Sequence, residues 1–278
     1  MGRISRGWQL AKMSLRIIRK DKEILLFPLL SGIITLLILG SFFGGMFAFY
    51  GLEGITDDAN SIVFYVFFGV FYFVSFFVTT FFNACVIGAA TIRMNGGNPT
   101  FSDGIKAATG SLKQIIVWSL FAATVGLILR AIQERVGFLG KIIVGALGLA
   151  FTVATYFVVP VLVFEKLGPW GALKRSVSIL KGAWGEALIG NLGLGIIFFL
   201  FGLLGLIPII AGIWMMTFWS IVVGVVVAIV YWLILGLIAS AATSVLVAAL
   251  YRYATTGKTA EEFGDLSFSN PWAAPTYR

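Results

Sequence analysis

Six runs of apolar residues, each close to or above the length needed to cross a bilayer, dominate this chain. The hydrocarbon core is about 30 Å thick, so a helix crosses it in about 20 residues. The runs are Ile24–Tyr50, Ile62–Ile92, Gln114–Leu129, Ile142–Phe164, Ala187–Ile207 and Thr217–Tyr251. The third is short and extends through Arg130. The last would reach roughly 50 Å as one helix, which is either strongly tilted or projects from the membrane. Only 12% of the residues are charged, where a soluble domain carries about 25%. Lipid must therefore be part of the solvent. The expected fold is an all-α integral membrane protein with six transmembrane helices, a single membrane domain over 1–252 and a polar tail over 253–278. The first run is too long for a signal-peptide core and reads as a retained helix.

Lys and Arg set the orientation of such a chain, because cationic loops stay on the cytoplasmic side. With the N-terminus inside, the outer loops hold only Arg130, Arg135 and Lys141 of the 20 Lys and Arg residues. The first outer loop, "GLEGITDDANS", carries Glu53, Asp57 and Asp58 and no cation. Both termini are expected in the cytoplasm of a multi-pass plasma-membrane protein.

A pattern recurs three times. Apolar residues fall at Ile4, Trp8, Ala11, Leu15 and Ile18 before the first span. They fall at Phe101, Ile105, Ala108, Leu112 and Ile115 before the third, and at Trp170, Leu173, Val177, Leu180 and Trp184 before the fifth. Every gap is three or four, the step of one helical face. Cations follow at a constant step: Lys12 and Arg19, Lys106 and Lys113, Lys174 and Lys181. The first and third stretches also align Trp8 with Trp170 and Ser14 with Ser176. These features predict three pseudo-repeats, about 1–92, 99–164 and 169–251. Each consists of a basic amphipathic interfacial helix, an outward span and a return span.

The pattern selects the candidate site. Lys12, Arg16, Arg19, Lys106, Lys113, Lys174, Arg175 and Lys181 are candidate ligands for lipid headgroups or another anion, because each cation near an anionic surface gains about 1 kcal/mol. Trp8, Phe101, Trp170 and Trp184 are candidate interfacial anchors. Asn83 and Asn191 are the candidate buried polar residues. Glu186 lies near the start of the fifth span, where Arg175 or Lys181 is placed to neutralise it. Arg130 and Glu134, four apart, are spaced to pair on a helix. Pro160 and Pro208 lie near span ends, placed to bend or terminate them. Small residues recur every fourth position at Ser220, Gly224, Ala228, Gly236, Ser240, Ser244 and Ala248, broken at Trp232. "GSFFG" at 40–44 has the same character. Such rows let helices pack closely, within one chain or between copies.

The chain has no histidine and one cysteine. That removes His-based acid–base chemistry, the usual zinc sites and any intramolecular disulfide. No catalytic residue, metal, cofactor or nucleic-acid partner is expected. Cys85, inside "FFNACVIGAA", reads as a small buried apolar residue.

The order "W-x2-AK-x-S … KDKEILLFPLLSGI", with "GALKRSVSILKGAW" after it, resembles a prokaryotic family of six-span membrane proteins of unknown function. "A-L-x-x-S-x-x-x-L-K-G" at 172–182 is similar to the membrane domain attached to some glycerophosphodiester phosphodiesterases. "LLFPLLSGIITLL" is similar to a sulfate-uptake membrane protein family. None of these resemblances implies a catalytic residue. The function expected is a non-enzymatic membrane protein that organises or senses anionic lipid at the inner leaflet, or scaffolds a membrane complex. A transporter or channel for an anion or lipid is the alternative.

Overall fold

The computed structural model of the chain describes residues 3–57 and 62–257. Among them are ten α-helices, one 3₁₀ turn and no strand. In order they are α1 (Arg3–Lys20), the 3₁₀ turn (Lys22–Leu25), α2 (Leu26–Asp57), α3 (Ile62–Met94), α4 (Phe101–Thr109), α5 (Leu112–Arg135), α6 (Phe138–Ala154), α7 (Val158–Phe164), α8 (Pro169–Leu204), α9 (Ile207–Trp214) and α10 (Phe218–Thr256). Six helical stretches are long and apolar enough to cross a membrane. The third extends through Arg130, as its sequence suggests. The last helix, α10, runs to Thr256, past the boundary at 252 expected for the membrane domain. The rest of the predicted tail, 258–278, lies outside the described residues, as does Asp58.

Two predicted helices are interrupted, each for a local reason. The fourth span breaks at Thr155–Phe157, between α6 and α7. Pro160 lacks an N–H, and its ring crowds the carbonyl four residues back, at Tyr156. The third basic stretch and the fifth span run together in α8, with a kink at Ala183 (φ −114°, ψ 17°) beside Gly182. After Leu204 the chain turns at Gly205 and continues as α9, with Pro208 in its first turn. Pro is well placed there, since the first N–H groups of a helix have no intrahelical acceptor.

By contacts the chain divides into two compact units, neither contiguous in sequence. The first comprises Met1–Pro28, Ala90–Pro99 and Gly182–Arg278; the second comprises Leu29–Ala89 and Thr100–Lys181. In the first unit α1 packs along the C-terminal part of α10. From Ala241 to Tyr251 every residue of α10 except Thr243 is buried, whereas Phe218, Val223 and Leu233 are exposed. At the far end α9 lies against α10. A methyl on Gly224 would strike the Pro208 carbonyl, and one on Gly212 would strike the Ser220 carbonyl. Ser220 Oγ donates to Gly212 O at 2.8 Å. Trp232, the break in the small-residue row, covers Gly205 and donates from Nε1 to Gly202 O at 2.9 Å. Gly224, Ala228, Ser244 and Ala248 are thus buried within the chain, and Gly236 and Ser240 are exposed.

In the second unit α4 lies against α3, where the Ala107 methyl occupies the space a side chain at Gly88 would need. The N-terminal part of α8 lies against α7. Ser176 Oγ accepts a hydrogen bond of 2.9 Å from the Phe157 N–H, a donor freed by the break before Pro160. Ser111, ahead of α5, donates from Oγ to Val163 O at 3.3 Å. On α2, "GSFFG" does not pack through its glycines, which have open space around them. Phe42 between them is buried against Phe68 and Phe71 of α3, with ring centroids 5.1 and 4.7 Å away.

Candidate functional site

The predicted cations stand on three segments: α1, α4 with the start of α5, and the N-terminal part of α8. Lys12, Arg16, Arg19, Lys106, Lys113, Lys174, Arg175 and Lys181 are all exposed. The backbone positions that orient them are buried. Ser14, Ala108 and Ser176, which share a register relative to the cations, are each 0% exposed. Two cations rest on an aromatic ring one turn earlier: Lys12 lies 5.5 Å from the Trp8 ring centroid and Lys174 lies 5.6 Å from that of Trp170. Those distances fall within the cation–π range of about 6 Å.

Two of the eight cations have acidic partners. Arg175 Nε donates to both Glu165 oxygens, at 2.9 and 3.0 Å, so its charge is matched at the turn from α7 to α8. Lys106 stands 3.9 Å from Asp103 on an exposed face. The other six form no ion pair among the described residues.

The anchors and buried polar residues depart from expectation. The apolar face of α1 is covered by protein: Ala11, Ile17 and Ile18 are buried. Trp8 is 37% exposed because it packs over Gly193 of α8, where an added Cβ would come within 2.8 Å of its ring. Trp170 and Trp184 are the more exposed anchors, and Phe101 is half-buried. Asn83 and Asn191 are half-buried rather than buried. Asn191 donates from Nδ2 to Ala187 O at 2.8 Å, within its own helix.

A buried ion pair forms where no local pattern predicts one. Asp21, between α1 and the 3₁₀ turn, is paired with Arg93 of α3 through both carboxylate oxygens. Their side chains are only 7% and 13% exposed. Arg93 also donates from Nη2 to Asn98 Oδ1 at 2.6 Å. Nothing local links residues 72 apart in the chain. Glu186 is 3% exposed on α8, one turn past the Ala183 kink.

Three helices are followed by a left-handed residue. Gly96 follows α3 with φ 82°, Lys166 follows α7 with φ 53°, and Gly257 follows α10 with φ 68°. At the first two, the N–H one residue on (Gly97) or of the residue itself (Lys166) reaches back to a carbonyl five residues earlier, closing the helix end.

Residues 61–261 match a family of unknown function, DUF6159. The chain belongs to that family. The match agrees with the resemblance to uncharacterised six-span proteins; the likeness to phosphodiesterase-linked membrane domains has no counterpart in it. The DUF6159 region holds α3 to α10, and so Arg93, Glu186 and the second and third basic segments, while α1 and α2 precede it. No curated protein and no solved structure matches the chain.

Proposed function

We propose that the chain is a non-enzymatic multi-pass protein of the plasma membrane, with both termini in the cytoplasm. In this reading it gathers anionic lipid at the inner leaflet through three basic segments. One observation carries it: Lys12, Arg16, Arg19, Lys113, Lys174 and Lys181 are exposed, without acidic partners among the described residues, on segments whose opposite faces are buried. Cations held outward on fixed helices bind a charged surface without the ordering cost of a flexible tail.

The threefold repeat deepens the same reading. Each amphipathic segment rests on the return span of the repeat before it. The N-terminal part of α8 rests on α7, α4 on α3, and α1, the first, on α10, the last. The common buried register at Ser14, Ala108 and Ser176 and the left-handed ends at Gly96, Lys166 and Gly257 support it. The transporter alternative rested on Asn83 and Asn191, and the hydrogen bond of Asn191 within its own helix weakens it.

The test is lipid retention by the purified full-length chain, read by native mass spectrometry against anionic and zwitterionic lipid. At about 1 kcal/mol per cation, loss of three cations alone weakens anionic-lipid retention by about 100-fold, so reversing Lys12, Lys106 and Lys174 to Glu together should weaken it by more than that, and rising salt should weaken it in the wild type. Retention unchanged by both treatments would remove the reading.

A further inference from the structure

A hollow of about 510 Å³ opens in the second unit where α5 ends and α6 begins, at the opposite end of α5 from Lys113. Small-molecule sites occupy about 300–1,000 Å³. Tyr72, Gly126, Leu129, Arg130, Glu134 and Lys141 are among the residues that line it. Ile128, Ile132, Phe138, Leu139 and Ile142 nearby on the same two helices are exposed apolar side chains. The hollow therefore sits where an apolar surface gives way to charge, which is the depth of lipid headgroups in a six-span protein.

Arg130 is fixed on three sides. Its Nε donates to Glu134 Oε1 at 3.0 Å, its Nη1 donates to Tyr72 OH at 3.4 Å, and its guanidinium lies 4.7 Å from the Phe68 ring centroid. A guanidinium has five N–H donors, so three remain for a ligand on a group already ordered. Lys141 adds a second cation from α6. Glu134 keeps Oε2 without a hydrogen bond among the described residues. Two cations and one carboxylate suit a group that carries a phosphate and an ammonium. Arg130 already holds Glu134 Oε1, and a ligand with no cation of its own would leave Oε2 without a donor in the hollow. The sequence adds an independent argument: Arg130, Arg135 and Lys141 are the three cations that run against the charge bias of the chain, and two of them line this one hollow.

We infer that the hollow binds the phosphoethanolamine headgroup of a phospholipid, with the phosphate on Arg130 and Lys141 and the ammonium on Glu134. This site is separate from the basic segments and does not depend on their binding lipid.

The experiment titrates delipidated full-length protein with phosphatidylethanolamine, phosphatidylglycerol and soluble O-phosphoethanolamine, read by native mass spectrometry. Two variants are compared with the wild type. Arg130→Gln removes the positive charge and three of the five N–H donors. Gly126→Leu narrows the hollow from its lining, where the added Cβ itself has room, 3.8 Å from Phe76 Cε2 and 4.0 Å from Tyr72 Cδ1. Phosphatidylethanolamine should bind the wild type about tenfold more tightly than phosphatidylglycerol, and each variant should lose about tenfold, the scale of one charge-assisted hydrogen bond. The Lys12, Lys106 and Lys174 reversal should leave this preference intact. Wild-type retention by Gly126→Leu, equal binding of phosphatidylglycerol, or equal binding of the soluble headgroup would each overturn the assignment.

Discussion

Gly224 and Gly212 mark the closest approach of α9 and α10, and what limits each is a backbone carbonyl rather than a side chain that could swing away. Gly224→Ala should therefore cost about 2 kcal/mol or more through overpacking. Gly236→Ala, on the same helix with open space around it, should be neutral or slightly stabilising. Thermal unfolding of the two variants in one detergent compares them directly. Asp103 offers a different single-residue test. It closes a capping box with Thr100, whose Oγ1 lies 2.7 Å from Asp103 Oδ2. The Thr100 side-chain and backbone hydrogen bonds hold its pKa below the ordinary carboxylate value. A carboxylate depressed in the folded state stabilises fully above its unfolded pKa and loses that contribution as pH falls through the folded value. Amide exchange of the first turn of α4 should accordingly show protection that is flat above about pH 4 and falls below it. Asp103→Asn should flatten that dependence.

At the scale of elements, the Asp21–Arg93 pair pins the junction of α1 and α2 to the end of α3. Removing one partner strands the other in a site that excludes water. Arg93→Ala should cost about 3–5 kcal/mol, and the double variant Asp21→Ala, Arg93→Ala should recover much of that loss. Thermal unfolding of both variants tests it; equal destabilisation would mean that the buried charge is not what matters. The broken fourth span answers to Pro160, and Pro160→Ala should let α6 and α7 join. The Phe157 N–H would then have an acceptor within the helix in place of Ser176. Pro160→Ala should therefore loosen the contact between α7 and α8, which is read as faster exchange of amides 172–180. Both breaks had visible causes in the sequence, Pro160 and Gly182, but the sequence left open whether Pro160 bends its span or ends it.

At the scale of the whole molecule, α10 has 39 residues, about 58 Å of helix, nearly twice the bilayer core. Its apolar exposed portion ends near Ile234, and its buried portion begins at Ala241 under α1. This distribution favours a helix that projects from the membrane, the second of the two readings its length allowed. Orientation can be tested directly, because Cys85, the native cysteine, is fully buried and silent to aqueous label. With Cys85 left in place, cysteines at Ser102 and Ser178 should resist impermeant label in intact cells, and one at Gly137 should react. The reverse pattern would invert the proposed topology and move the basic segments to the other leaflet.

The sequence by itself determined the helical class, the six spans and the three basic segments with their outward cations. These follow from apolar run length and from a three-to-four residue step, both properties of a few neighbouring residues. Only the tertiary structure decided that the apolar face of α1 lies against α10 rather than bare, that Asp21 finds Arg93, and that Arg175 is matched by Glu165. The physical reason is the same in each case. A buried face or a buried charge is defined by its partner, and here the partner lies tens to hundreds of residues away or across a turn whose geometry no local pattern records.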